Sequence, residues 1–578
     1  MATIQDKTTP YENLKNLAKE DREDLKALFA YTIMIGLFSL VVPLATQTLV
    51  NTIAAGIFLQ PLIVMSILLF VGLIFLVFFQ YNEISIVEKI QQRLFARTSF
   101  SVVDRLSKAN LFLNQKIFLP ELINRFFDVM TIQKTWSKLL VNGLTSTLQI
   151  FFGLLLIAFY NPLLLAFDFL IIVFMIFIFF FLGKKGLSTS ITESGAKYKV
   201  VSWFEEMGIS IFGIKIFSNL DFLNEKTDQL VTDYIISRRK HFNIIVRQSV
   251  ASYLFYAFAI TGVFAIGGYL VINRQLTLGQ LVASEIIIVT ILTGFQKLVQ
   301  DLDRFYDLLT ALEKLNVLVK IPLENNGKIQ IHSMESFPVE LKNVHFSYST
   351  KEPLIQNLNL NINKSEKVSI IGKSGSGKST LANLISGFYI PQSGKIEVNS
   401  VDLRDIDLVS YRTCCGFVND SDDFFEGTVE ENIVMGRSNI SHHDISWAVD
   451  CVGLEEDMSV GLKTKVLTVG KNLSKGVRQK ILISRAILSR PGILIFDNAF
   501  LAVDPISKQK ILDELYSTKY KWTILNCSND LDLVLKSDKI YLLVDGKSSQ
   551  AFCAQDLLQA NNKDLLSSLF PVVKMLER

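Results

Sequence analysis

Residues 367–387 read "KVSIIGKSGSGKSTLANLISG". An apolar run, a glycine-rich turn and a helix-patterned continuation follow one another. This predicts a buried strand, a loop and a helix start. Gly372, Lys373, Ser374, Gly375, Ser376, Gly377, Lys378 and Ser379 fit GxxxxGK[ST] in full. Glycines let successive backbone N–H groups turn inward at a helix N-terminus, where the dipole favours an anion. Lys378 supplies a point positive charge for phosphates and Ser379 a hydroxyl for Mg²⁺, with Thr380 next on the same helix start. A chance glycine turn seldom falls between a strand and a helix in this way, so the stretch predicts a bound nucleoside triphosphate.

Residues 491–504, "PGILIFDNAFLAVD", hold the complementary element. The run "ILIF" predicts a buried parallel strand that delivers Asp497 to the same site, as a second Mg²⁺ partner. Asn498 follows directly. An amide cannot take a proton from an attacking water, so this position lacks the general base that hydrolysis wants.

The rest of the chain points to a membrane. Its 578 residues are too many for one core. Half of them are hydrophobic, 43 are Phe, and the mean hydropathy is +0.35. Residues 27–82 contain no Asp, Glu, Lys, Arg or His. Residues 139–183 hold one acid, Asp168, with a turn expected at Asn161-Pro162; residues 248–296 hold Arg274 and Glu285. Each block is long enough for two spans of about 20 residues, giving three hairpins and six spans. Asp168 and Glu285 are functional candidates because a charge inside a membrane is costly. The alternative is a position near the water interface.

Between the hairpins, residues 83–138 and 184–247 are long, rich in Lys and Arg, and helically patterned. The positive-inside rule puts them, and both termini, in the cytoplasm. Phe126, Phe127, Trp203 and Phe204 mark the middle of each arm as a contact with a cytoplasmic domain. A net charge of +3 over this length gives no reason to expect nucleic acid. The five cysteines, Cys414, Cys415, Cys451, Cys527 and Cys553, show no CxxC spacing, which suits a reducing compartment.

On these motifs the chain resembles the ATP-binding cassette exporters, in which six spans are fused to one nucleotide-binding domain. The stretches "EKIQQRLFARTSFSVVDRL", "LPELINRFFDV" and "LTLGQLVASE" look most like the bacterial exporters of peptides, bacteriocins and toxins. Too little sequence precedes the first span for the N-terminal cysteine peptidase domain that some relatives carry. The resemblance implies a membrane all-α six-helix exporter-type transmembrane domain plus an α/β P-loop nucleotide-binding domain. The expected boundaries are 1–24 for an N-terminal cytoplasmic segment, 25–305 for the membrane domain, 306–336 for a linker and 337–578 for the nucleotide-binding domain. It also implies a multi-pass protein of the bacterial inner membrane, ATP and Mg²⁺ as cofactors, and a dimer with itself or with a similar chain. The expected substrate is a peptide or another amphipathic molecule moved out of the cytoplasm.

Carried over residue by residue, Tyr348 in "VHFSY" would stack on adenine. In "NLSKGVRQK", Leu473, Ser474 and Gly476 match the LSGGQ signature that serves the ATP of the opposite subunit, whereas Lys475 and Val477 depart from it. Asp504 falls in the family's dimer-interface loop. Asn498 stands where the family has a catalytic Glu, and Asn529 where it has a His on the γ-phosphate. Asp420 replaces a Gln that touches Mg²⁺. The binding elements are kept and the hydrolytic ones altered, so hydrolysis is expected to be weak or dependent on a partner. A second reading is a non-catalytic, ATP-binding membrane subunit that regulates or scaffolds a secretion complex.

Overall fold

The computed structural model describes residues 9–553 apart from 57–58, 115–118, 218, 332–334, 349–352, 422, 456–460 and 549–551. The outer ends of the expected 1–24 and 337–578 segments lie outside the described residues. The chain divides into two units. One comprises Met1–Ala109 with Asn114–Pro322, the other Leu323–Arg578 with Asn110–Leu113.

The first unit is all-helical. Among the described residues, six helices are long and apolar enough to cross a membrane: Arg22–Ala54, Gln60–Ser107, Leu122–Ala158, Pro162–Ile209, Leu220–Ile272 and Leu278–Val319. Their starts follow local chemistry. Asn161 accepts from the Leu163 N–H at 2.9 Å with Pro162 in the first helical position, as the expected turn requires. Thr277 and Gln280 close a capping box at the last span. Apolar faces are left outward: only 6% of the most apolar window of the second helix is buried, which is the condition of a surface meant for lipid. Two stretches, Leu139–Gly143 and Phe177–Leu182, are π-helical and break the regular ladder within the third and fourth helices. Helices approach closely at small residues. A Cβ on Gly262 would meet the Phe167 ring at 2.6 Å.

Asp168 is only 3% exposed, and neither carboxylate oxygen has a hydrogen-bond partner among the described residues. It is enclosed in the bundle interior beside Phe167 and Ile171, which are themselves core residues. Glu285 is half-buried on the last helix. A third acid, Glu83, is 3% exposed and accepts from Thr145 at 2.8 Å. In the arms, the four aromatic residues expected to face a partner divide evenly. Trp203 is buried and Phe126 packs on the unit's own core, whereas Phe127 and Phe204 are exposed. The strongest apolar exposure lies beyond them, on the short helix Ile211–Phe217, where Phe212 and Phe217 stand 79% and 86% exposed.

The second unit is α/β. Its strands are β1 Val339–Phe346, β2 Ile355–Ile362, β3 Lys367–Ile371, β4 Ser393–Val398, β5 Val401–Asp402 and β6 Cys415–Val418. After the two-residue pair β7 Gly427–Thr428 and β8 Lys465–Val466 come β9 Ile493–Asp497, β10 Thr523–Cys527, β11 Lys539–Val544 and β12 Lys547–Ser548. One sheet runs β2-β1-β4-β5 and is antiparallel; the other runs β12-β11-β3-β10-β9-β6, parallel apart from its β12 edge. Every residue of β9 and β10 is buried, as expected for central strands covered on both faces. β10 lies between β3 and β9. The carboxyl ends of three neighbouring strands therefore open on one edge, which is where ligands bind in sheets of this type.

Candidate nucleotide site

β3 delivers the glycine-rich loop, and the helix Lys378–Ile385 leaves it. Gly375 and Gly377 have φ of +79° and +103°, values that a side chain would strain. Lys378 folds back on its own loop, its Nζ donating to the carbonyls of Gly372 at 2.6 Å and Lys373 at 3.0 Å. Ser379 Oγ donates to Asp497 Oδ1 at 2.9 Å, so the two residues expected to share a metal already touch. Burial pushes the Asp497 carboxyl above its ordinary range; Ser379 and Lys378 pull it back and Asp420 adds to the rise. Burial also lowers the Lys378 ammonium. A half-buried cation and a buried acid without a full set of charged partners suit an incoming phosphate and cation.

The remaining predicted residues fall into two groups. Tyr348 is at the loop: its hydroxyl pairs with Thr380 Oγ1 at 2.8 Å, and its ring packs on Phe346 and Tyr389. Ser376 is there too, its hydroxyl buried without a hydrogen-bond partner among the described residues. Asp420 is exposed but close enough to act on Asp497. Asn529, placed by sequence opposite the γ-phosphate, instead pairs with the Gly372 backbone at both its N–H and its carbonyl. Ser474 and Gly476 make no hydrogen bond to the loop among the described residues. Ser474 caps the helix Lys475–Ile487, accepting from the Val477 N–H at 3.2 Å, with Lys475 in the first turn. A Cβ on Gly476 would press on the Ala502 carbonyl at 2.9 Å. Asp504 caps the helix Pro505–Leu515.

Asn498 has φ of +54°. Asn tolerates this left-handed conformation better than other side chains. The residue after Asp497 is thus both chemically unable to act as a base and well suited to a tight turn. Sequence reading missed Phe112, one of the four residues Asn110–Leu113 that group with this unit; it stacks near Tyr348 with centroids 6.4 Å apart. Nothing in "NLFLN" marks it, because the contact spans more than 200 residues of sequence.

Comparison with known proteins identifies the family. The family model for the ABC transporter matches residues 355–501, and that for the ABC transporter transmembrane region matches residues 25–295. The chain belongs to the ATP-binding cassette transporters. It is a half-transporter in which the membrane region and the cassette are fused. A putative export ATP-binding/permease protein of Rickettsia felis is 29% identical over 375 residues, 64% of each chain. A leukotoxin translocation ATP-binding protein of a Pasteurella haemolytica-like species is 30% identical over 302 residues, 51% of this chain and 42% of that one. The chain covers under two thirds of the length of these relatives. A bacterial Atm1-family ABC exporter with ATP bound has the same fold, with a TM-score of 0.86 at 20% identity over 95% of this chain and 98% of that one.

Proposed function

We propose that the chain is an exporter subunit that binds ATP and hydrolyses it slowly, expelling a peptide or other amphipathic substrate across the bacterial inner membrane. The observation that carries this reading is Asn498 standing directly after Asp497 beside a fully formed phosphate loop. The loop N–H groups and Lys378 hold the β- and γ-phosphates. Tyr348, braced by Thr380, offers its ring to adenine. Ser379 and Asp497 present hard oxygen donors, with Asp420 near, and this set suits Mg²⁺, which takes few protein ligands beside phosphate. When bound, Mg²⁺ would offset charge on the phosphate oxygens. Without a carboxylate at 498 the attacking water is not deprotonated, a loss of about 10²–10⁴-fold in rate.

Two copies, or this chain and a similar one, close on ATP held between their nucleotide-binding domains. The exposed Phe212 and Phe217 support such a pairing, since an arm tip this apolar calls for a cover. The Lys- and Arg-rich arms support a cytoplasmic nucleotide domain and cytoplasmic termini. The name of the leukotoxin-translocating relative supports export of a toxin-like cargo. The joint change at 498, 529, 420 and the 475/477 signature favours, as second reading, a non-catalytic subunit that regulates or scaffolds a secretion complex. The test is Mg²⁺-ATP turnover of the full chain in nanodiscs, measured beside nucleotide binding, with Lys378→Ala as blank. Tight binding with slow turnover above the blank supports the proposal; turnover no higher than the blank favours the non-catalytic reading, and rapid turnover abolished by Lys378→Ala defeats both.

A further inference from the structure

We infer that Asn529 is a clasp that holds the phosphate loop in its binding shape and frees Lys378 for the nucleotide. It is not a weakened substitute for a phosphate-contacting side chain. The inference rests on reading this loop as the ATP site.

The register of the sheet sets the contact up. β10 runs parallel to β3 with Cys527 beside Ile370, so two residues further along both strands Asn529 comes level with Gly372. The Gly372 N–H donates to Asn529 Oδ1 at 3.0 Å, and Asn529 Nδ2 donates to the Gly372 carbonyl at 2.9 Å. A carboxamide carries its acceptor and donor on one edge, and both engage one residue's backbone. Imidazole cannot do this, because its two nitrogens point to opposite sides of the ring.

The segment that carries Asn529 is itself held. Asn526 donates to Ser369 Oγ at 3.0 Å, Ser528 donates to Asn526 at 2.8 Å, and Asp530 pairs with Lys508 at 2.7 Å. Close backbone packing braces Gly372 from the other side: a Cβ there would meet the Leu543 carbonyl at 2.5 Å.

The second consequence concerns Lys378. Its ammonium rests 2.6 Å from the same Gly372 carbonyl. To meet a phosphate it must leave. A buried carbonyl that loses its last donor is costly, but this one keeps the Asn529 amide. Asn529 therefore acts through the loop and through Lys378 as a positioning residue for binding. It has no part in placing water.

The inference makes an unexpected demand: restoring the family's His at this position harms the site. The experiment is the affinity of the full chain in nanodiscs for a fluorescent ATP analogue with Mg²⁺. The variants are Asn529→His, Asn529→Ala and Asn529→Asp, each also measured for turnover in an Asn498→Glu background. All three variants are expected to bind about tenfold more weakly. Asn529→Asp fails because its carboxylate still accepts from the Gly372 N–H but has no proton for the carbonyl. Turnover per bound nucleotide in Asn498→Glu is expected to gain nothing from Asn529→His.

Affinity unchanged or improved in Asn529→His overturns the inference, as does a gain in turnover per bound nucleotide. So does a loss of affinity matched by an equal drop in the nucleotide-free unfolding temperature, since the residue would then brace the domain and not the loop. Wild-type chain that binds no better than Lys378→Ala removes the ATP site and the clasp together, and is told apart by that blank.

Discussion

Two sides of one site stand in opposite condition. On the binding side, residues 372–380 form a loop with left-handed glycines in place, the ammonium of Lys378 close by, and Ser379 joined to Asp497. On the reaction side, Asn498 cannot take a proton, Asn529 is tied to the Gly372 backbone, and the helix after Ser474 begins with a lysine. Holding a phosphate requires N–H groups and positive charge, which the fold supplies almost by itself at a strand–helix junction. Cleaving it requires a side chain of the right basicity in one place. On the proposed reading, the first property survives substitutions that weaken the second. The difference teaches that ATP can serve this chain as a ligand even where it serves poorly as a fuel.

The largest effect that sharpens this contrast is expected on the binding side. Lys378→Ala removes the charge and should weaken ATP binding by about 3 kcal/mol, roughly a hundredfold in Kd. Equilibrium binding in nanodiscs measures it, and a loss under threefold would break the contrast.

Next comes Asn498→Glu. Turnover should rise at least about tenfold, though short of a full 10²–10⁴ because the helix after Ser474 is still altered. The same change should lower stability by about 1 kcal/mol, since Glu tolerates φ of +54° less well than Asn. Phosphate release and thermal unfolding read the two effects. Lys475→Gly with Val477→Gln, added to Asn498→Glu, should give a further few-fold in turnover and little change in affinity for ATP.

The smallest effect is a pH dependence. Burial raises the Asp497 carboxyl, so the folded domain holds that proton more tightly than the unfolded chain. Its contribution to stability is full below the ordinary carboxylate range and is lost as pH rises through the raised value. In Mg²⁺-free buffer the stability of Asp497→Asn relative to wild type should therefore grow as pH rises above the ordinary carboxylate range. A difference that shrinks with pH would contradict this, and added Mg²⁺ should abolish the advantage.

Much of the fold was legible because its signals are local. The absence of charge over 27–82 marks two spans whatever surrounds them. Asn161-Pro162 starts a helix by chemistry of its own. Glycines spaced as in 372–377 announce a loop between β3 and the next helix. What sequence could not give is which distant group a polar side chain meets. Asn529 reads as a lost histidine until β10 is laid beside β3, because its partner is a backbone 157 residues away. Asp168 reads as a path-lining or interfacial acid until the bundle closes around it, since only packing decides that neither oxygen finds a donor among the described residues. The arms read as contacts at 126–127 and 203–204 because aromatic residues cluster there. Which of them face inward depends on the helices against which they pack, and Trp203 turns in where Phe204 turns out.

The most direct test of the central claim is the chemical identity of the retained nucleotide. The full chain in nanodiscs would be incubated with Mg²⁺ and ATP for many minutes, freed of unbound nucleotide, denatured, and its nucleotide separated and counted. A chain that binds ATP and cleaves it only slowly yields mostly ATP in wild type and mostly ADP in Asn498→Glu, with neither in Lys378→Ala. Mostly ADP in wild type would mean that another group activates water, and would contradict the account.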